Sequence, residues 1–558
     1  MGKVWIVYVL VLFSLISIAC AQEGKIKILA IADDGGEVKG QVADLTLEIR
    51  PGKGRVFLET FPVTKIDTQI SMRFAQQFAC SFLDKDCSDL DFIYTIRAGS
   101  SIIGGPSAGG PATALTVSML GDIPLREDVV STGTINPGGL IGGVGGLLHK
   151  IKAASQKNYS IAIIPQGKRQ YEENNVTTDL YEYGSKLDIR VQEAASFEEL
   201  LSIYTGRDFK RPQGDIASDL EYERVMADVA QKICERNGRL RERLEELKPK
   251  RKLEVGEADL LVAAEEDLAR AKSLLAKGNA YAAASFCFRS NINIAYVNVG
   301  LSNQSQDELA KQLITLKKGV FDFSRQVSKK QVASIADLQT SLVVKERLVE
   351  ANNHLEDSVI GKSDLRYAVA VANERLFSAI AWSSFFSMSS PSYDIDKSII
   401  VAVCEQKIRE AEERFQYVSL YLPQEPKGIR EDIDDAYEDA KAKNHDLCIV
   451  RASKAKADAD MVISVIGTKE EALKAVLDQK LLLARQAIVQ SQTKGVFPII
   501  GYSYYEYAQA LAQDDVVSAL RFTQYATELS GLDLYVHPKS SIRVSIDYKA
   551  LSVFVAGL

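Results

Sequence analysis

From Lys25 to Ala32 and from Val38 to Glu48 apolar and polar side chains alternate, the period-2 pattern of half-buried strands. The turn Pro51-Gly52-Lys53-Gly54 separates the second of these from a third strand pattern, Arg55 to Glu59. Ile66 to Phe82 repeats with a helical period, and Asp91 to Ala98 reads as a strand leading into a glycine-rich stretch. Further helices are predicted over Ala112 to Leu120, Leu147 to Lys157 and Phe197 to Tyr204, with strands at Ile161 to Pro165 and Leu187 to Gln192. Mixed strands and helices over residues 24–207 make an α+β unit.

Beyond the link Arg207 to Gln213 the texture changes. Residues 218–530 are rich in Ala, Leu, Glu and Lys with a helical period, and glycine becomes sparse. Turn-to-helix joints recur at Asn279 to Ala284, Asp364 to Ala368, Asp446 to Val450 and Asp514 to Ala519, a spacing about as long as two helical hairpins. The predicted unit is all-α, either a tetratricopeptide-like array of hairpins or an irregular bundle. Residues 531–558 turn strand-like again and carry no assignable role.

Composition narrows the function. A net charge of −7 over 558 residues offers no broad basic surface, so nucleic acid is not an expected partner. Four histidines and no HExxH pattern give a zinc peptidase nothing to build on, and no metal or other cofactor is expected. At the N-terminus Lys3 precedes an uncharged apolar run, Val4 to Ala19, and Ala19-Cys20-Ala21 fits a small-residue cleavage pattern. Residues 1–21 are therefore expected to be a signal peptide or an N-terminal membrane anchor, with lipid attachment at Cys20 a weaker option. Each places the chain outside the cytoplasm, extracellular or at the cell surface.

Six other cysteines, Cys80, Cys87, Cys234, Cys287, Cys404 and Cys448, are an even number in an exported chain, which suggests disulfides. Pairing of sequence neighbours is the most local of the fifteen connectivities six cysteines allow; buried free thiols are the competing reading. Asn158-Tyr159-Ser160, Asn175-Val176-Thr177 and Asn303-Gln304-Ser305 are glycosylation-type triplets that also arise by chance.

The candidate chemistry lies in Gly104-Gly105-Pro106-Ser107-Ala108-Gly109-Gly110 and, 43 positions after Ser107, at Lys150. A serine hydroxyl needs a neighbour to remove its proton, and a lysine can do so only when neutral, which burial favours. On a helix starting at Leu147, Lys150 projects with Leu147, Ala153 and Ala154 on the apolar side, while Lys152 and Gln156 project the other way. The bland alternatives are a lysine that reaches out along the helix edge and a serine that merely caps the helix containing Pro111. Backbone amides around Gly105 to Ser107 are the candidate oxyanion hole.

The stretch from Pro51 to about Leu201 resembles the proteolytic domain of Lon-type Ser–Lys peptidases. Gly105-Pro106-Ser107-Ala108-Gly109 matches the G-P-S-A-G nucleophile motif, and Asp128 to Gly133 resembles the D-V-A-M-T-G strand. Gly142 to Ala154 resembles the loop and helix that carry the catalytic lysine, and Ile163-Ile164-Pro165 the strand end that follows. The resemblance implies Ser107 as nucleophile and Lys150 as base, with Gly105 and Pro106 in the nucleophile motif. It also implies that Thr132 bonds the lysine amine. Thr134 stands where the cytoplasmic enzymes usually have Glu, and Gly104 where many have Asp, so two carboxylates near the dyad are missing.

No GxxxxGK[ST] loop occurs, so no ATP is expected. The combination resembles an archaeal group of exported Lon-like serine proteases without an ATPase domain. It implies an ATP-independent endopeptidase acting on unfolded or exposed polypeptide, and it leaves open homo-oligomers and membrane attachment through the N-terminus. The rival expectation is an inactive Lon-like scaffold whose helical domain binds or assembles proteins.

Overall fold

The computed structural model describes residues 22–531, apart from 35–36, 62–65, 100–105, 137–138, 174–175, 210–213, 331, 362, 389–396, 420–421, 423, 425, 466–469, 471–472 and 494. The expected leader at 1–21, the strand-like tail beyond 531, and Gly104, Gly105 and Asn175 lie outside the described residues. The chain divides into two compact units. One takes residues up to 213 together with Glu413–Pro426 and Ala459–Val476, and the other the remaining residues from 214 on.

The first unit is built on a seven-stranded mixed sheet. In chain order its strands are β1 (Gln22–Asp34), β2 (Glu37–Pro51), β3 (Val56–Phe61), β4 (Leu90–Arg97), β5 (Val129–Ser131), β8 (Ile161–Pro165) and β11 (Arg190–Ala194). Two short hairpins stand apart, β6 (Thr134–Asn136) with β7 (Leu140–Gly142) and β9 (Gln170–Glu173) with β10 (Val176–Asp179). The order across the sheet is β11-β8-β5-β1-β2-β4-β3.

β1 and β2 form a long antiparallel hairpin, with Gln22 opposite Ile49, and β2 pairs antiparallel with β4. The remaining neighbours are parallel. Ile161 to Pro165 is buried throughout, as a central parallel strand covered on both faces must be.

Five helices belong to this sheet: α1 (Ile66–Phe82), α2 (Gly109–Gly121), α3 (Leu147–Gln156), α4 (Leu180–Lys186) and α5 (Phe197–Thr205). Leu147, Ile151 and Ala154 of α3 bury against Leu29, Val130, Ala162 and Ile164 of the sheet. The predicted strand over Leu187 to Gln192 is shifted. Asp188 turns with φ of 59° after α4, and pairing begins at Arg190. Neither β9–β10, β6–β7 nor α4 is visible in the hydrophobic pattern, because each is too short to show a period.

The second unit is all-helical: α6 (Leu220–Leu247), α7 (Val255–Ala276), α8 (Ala280–Leu301), α9 (Gln306–Ser328), α10 (Ile335–Val359), α11 (Leu365–Trp382), α12 (Lys397–Ser419), α13 (Lys427–Lys441), α14 (His445–Val465), α15 (Leu473–Thr493), α16 (Ile499–Leu511) and α17 (Val516–Ser530). Parts of α12, α14 and α15 fall in the two stretches grouped with the sheet. Each of the four predicted joints opens a helix. Asp364 caps α11 by accepting the Arg366 N–H, and Asp515 caps α17 by accepting that of Ser518.

The six cysteines pair as sequence neighbours. Cys80–Cys87 closes the end of α1, Cys234–Cys287 ties α6 to α8, and Cys404–Cys448 ties α12 to α14. A buried square of two lysines and two glutamates, Lys407 and Lys456 against Glu410 and Glu528, adds α17 to that last pair of helices.

Glu506 on α16 caps α8 from the side. Its carboxylate accepts the Ala282 N–H at 2.9 Å, while Asn279, the helix's own cap residue, makes no side-chain bond. Burial pushes Glu506 up to about 7 against the pull of two backbone N–H groups. The folded state thus holds a proton the unfolded chain releases near 4.5, so this group's contribution to stability falls as pH rises from about 4.5 to 7. Asp432 and Asp439, raised by burial to about 6, act with the same sign. Glu506→Gln keeps an acceptor for Ala282 and removes the charge. Its stability advantage over the parent should grow between pH 5 and 8 to about 3 kcal/mol; denaturant melts in which the difference stayed flat with pH would contradict this.

Candidate active site

Ser107 lies in a single 3₁₀ turn, Pro106–Ala108, that opens directly into α2. The cap residue of α2 is Ala108, without a side-chain cap bond, so the Ser107 hydroxyl is not spent as a helix cap. Pro111 sits in the first turn of α2, where its missing N–H costs nothing. Ser107 itself is half-buried.

The turn is locked onto the residues that follow β5. Gly133 N–H donates to the Ser107 carbonyl at 3.0 Å, and Gly110 N–H donates to the Gly133 carbonyl at 2.9 Å. This close approach explains Gly109, since a Cβ there would stand 2.8 Å from the Ile135 nitrogen. On the other side of the turn Ser71 of α1 donates to the Pro106 carbonyl at 3.4 Å.

Lys150 comes from the first turn of α3. That helix starts at Gly146, whose φ of 65° is left-handed and whose absent Cβ leaves room for Ile31. Leu147, Lys150, Ile151, Ala153 and Ala154 are buried, and Lys152 and Gln156 are exposed. The Lys150 side chain is 3% exposed and its amine donates to Thr132 Oγ1 at 3.0 Å. Burial alone pushes this amine down to about 8 from 10.5. Thr132 is fully buried, and its N–H donates to the Ile163 carbonyl.

Ser107 and Lys150 are thus tied to consecutive residues at the end of a central strand: the serine's carbonyl to Gly133, the lysine's amine to Thr132. A buried amine lowered to about 8, held by a hydroxyl and, among the described residues, without a carboxylate partner, is equipped to take a proton.

Of the candidate oxyanion donors around Gly105 to Ser107, Pro106 has no N–H and Gly105 lies outside the described residues, which leaves the Ser107 N–H as the candidate among the described residues. Thr134 is buried.

Pattern reading missed a support of this strand. The Tyr204 hydroxyl of α5 donates to Ser131 Oγ at 2.8 Å, with both residues fully buried beside Thr132. A tyrosine on the apolar face of a helix reads as core, and nothing in its spacing signals the bond. Among the described residues no group of His, Cys, Asp or Glu is arranged to hold a metal ion, and no helix is long and apolar enough to cross a membrane.

The family model of the Lon protease (S16) C-terminal proteolytic domain matches residues 22–202. Lon protease 2 of Thermus thermophilus is 30% identical over 135 residues, 23% of this chain and 16% of that protein. The archaeal Lon protease of Halobacterium salinarum is 32% identical over 102 residues, 18% of this chain and 14% of that one. The Lon protease of Geobacter metallireducens is 33% identical over 141 residues, 24% and 17% respectively. The aligned part is therefore less than a fifth of the length of each of these relatives. Residues 22–202 of this chain carry a domain of the Lon protease (S16) C-terminal proteolytic type.

Proposed function

We propose that this chain is an ATP-independent serine endopeptidase that works outside the cytoplasm on unfolded or exposed polypeptide. Ser107 attacks the peptide carbonyl, and neutral Lys150 takes the hydroxyl proton and returns it to the leaving amine. Water then hydrolyses the acyl-enzyme. Thr132 holds the amine in place throughout. The observation that carries this reading is the buried Lys150 amine, 3.0 Å from Thr132 and, among the described residues, without a carboxylate beside it that would keep it charged. Three disulfides using all six cysteines outside the expected leader support an oxidising compartment. The absence of a phosphate-binding loop in the sequence supports independence from ATP.

The test is casein cleavage by the mature protein with and without ATP and magnesium, with Ser107→Ala alongside. The expected result is one rate for the parent under both conditions and none for the variant. Cleavage that required ATP, or that survived in Ser107→Ala, would overturn the proposal.

A further inference from the structure

The helix that carries Lys150 starts from an unusually free stretch of backbone: Gly142, Gly143, Gly145 and Gly146 surround the single side chain of Val144, and Gly143 and Gly145 are exposed. Four glycines in five residues give this segment far more conformational freedom to lose than ordinary chain. Yet Gly146 must sit in one left-handed conformation for α3 to start where it does, because its carbonyl accepts the Lys150 N–H at 3.1 Å. Something outside the segment has to hold it.

One side chain does. The N–H of Gly146, a buried residue, donates to the hydroxyl of Tyr171 at 2.8 Å. Tyr171 projects from the β9–β10 hairpin, where it pairs with Thr178, and its ring packs against the cluster containing Leu147 and Ile151. The hairpin is itself anchored. Arg169 and Gln170 both bond Asp179, which caps α4, and the N–H groups of Lys168 and Arg169 donate to Glu193 on β11. The hydroxyl therefore sits at the end of a braced arm, one helical turn before the lysine.

We propose that Tyr171 is a positioning residue for Lys150, fixing the start of the lysine helix through the Gly146 N–H so that the amine stays seated against Thr132. The proposal rests on the reading of Lys150 as the base. Tyr171→Phe removes the acceptor and keeps the ring. A buried N–H then lacks a partner, a penalty equivalent to about tenfold in an equilibrium, and the glycine segment should open to water.

Burial is the cause of the lowered Lys150 titration. Among the described ionisable residues on the elements packed against α3, which include Lys25, Lys27, Lys39, Asp44, Glu48, Tyr181, Glu182, Tyr183 and Lys186, none adds anything resolved to it, nor do His149 and Lys152 on α3 itself. Water admitted at the helix start should therefore move the titration of Lys150 upward, toward that of an ordinary lysine.

The experiment reads this without relying on activity. Competitive acetylation across pH 6 to 11, followed at the Lys150 peptide by mass spectrometry, compares the parent with Tyr171→Phe, and hydrogen exchange follows the Gly146 amide in both. The expected result is a higher Lys150 midpoint and exchange at Gly146 faster by about tenfold. Identical Lys150 midpoints in the two proteins would overturn the positioning role. So would rapid exchange at Gly146 in the parent, a measurement that stands even if the variant does not fold. Cleavage by Ser107→Ala, measured in parallel, judges the dyad separately.

Discussion

Lys150→Met should abolish peptide cleavage while leaving the fold as stable as the parent or more so. Methionine matches the length and apolar stem of the lysine and lets a fully buried position do without an ionisable group. The hydroxyl of Ser107 then has no base, and the expected fall in kcat is at least about 10³-fold, the scale seen when one member of a serine nucleophile–base pair is removed. Ser107→Ala should lose a similar factor, and the double variant little more, because the two act as one unit.

Lys150→Arg separates charge from chemistry. A guanidinium stays protonated at every working pH, so this variant should be inactive too, and destabilised by a charge in a dry site. The measurement is cleavage of an unfolded substrate, set beside a denaturant melt for each variant. Substantial activity in Lys150→Met would remove the lysine from the mechanism; a collapsed fold would show that its role is structural.

How far this site can be read without coordinates differs residue by residue. Lys150 is legible because a helical period over Leu147 to Gln156 places a cation among apolar neighbours, and the observed face has that composition. Ser107 is ambiguous by pattern, since a serine before a helix is a natural cap; only the structure shows that Ala108 takes that position. Thr132 is invisible to periodicity. Ser131, Thr132 and Thr134 are polar residues in a buried segment, and an alternation rule would send some of them to the surface. Family resemblance, not physics, singled out Thr132.

The fold shows the same division. Strands of five or more residues and helices of nine or more stand out by their period. The three-residue strands β6 and β7 hide inside a glycine-rich run, where backbone freedom and not side-chain pattern decides the path. The disulfides follow the most local pairing the sequence offered, but spacing alone does not select it over free thiols or another connectivity, because the contacts of α6 with α8 and of α12 with α14 are tertiary facts.

The pH profile of cleavage should rise through a single step centred near 8. Lys150 is active only when neutral, and burial holds its amine at about 8. About a hundredth of the molecules are then competent at pH 6 and about half at pH 8, so kcat/KM should climb roughly fiftyfold over those two units. Stability must move with it. An unfolded lysine keeps its proton up to about 10.5, so between 8 and 10.5 the unfolded chain binds more protons than the native one, and the contribution of Lys150 to stability rises with pH across that window.

Below pH 8 the same group costs the native state about 3 kcal/mol, the free energy of keeping an amine where it prefers to be neutral. The two measurements are coupled through one proton. Lys150→Met should lose the activity step and the stability slope together, becoming more stable than the parent at pH 7 by an amount that shrinks toward pH 10.5. A rate step near 8 that persisted in a protein whose Lys150 titrates elsewhere would assign the step to another group. A parent whose stability did not change between pH 8 and 10 relative to Lys150→Met would mean that the amine is charged at neutral pH, and a charged amine cannot take the proton of Ser107.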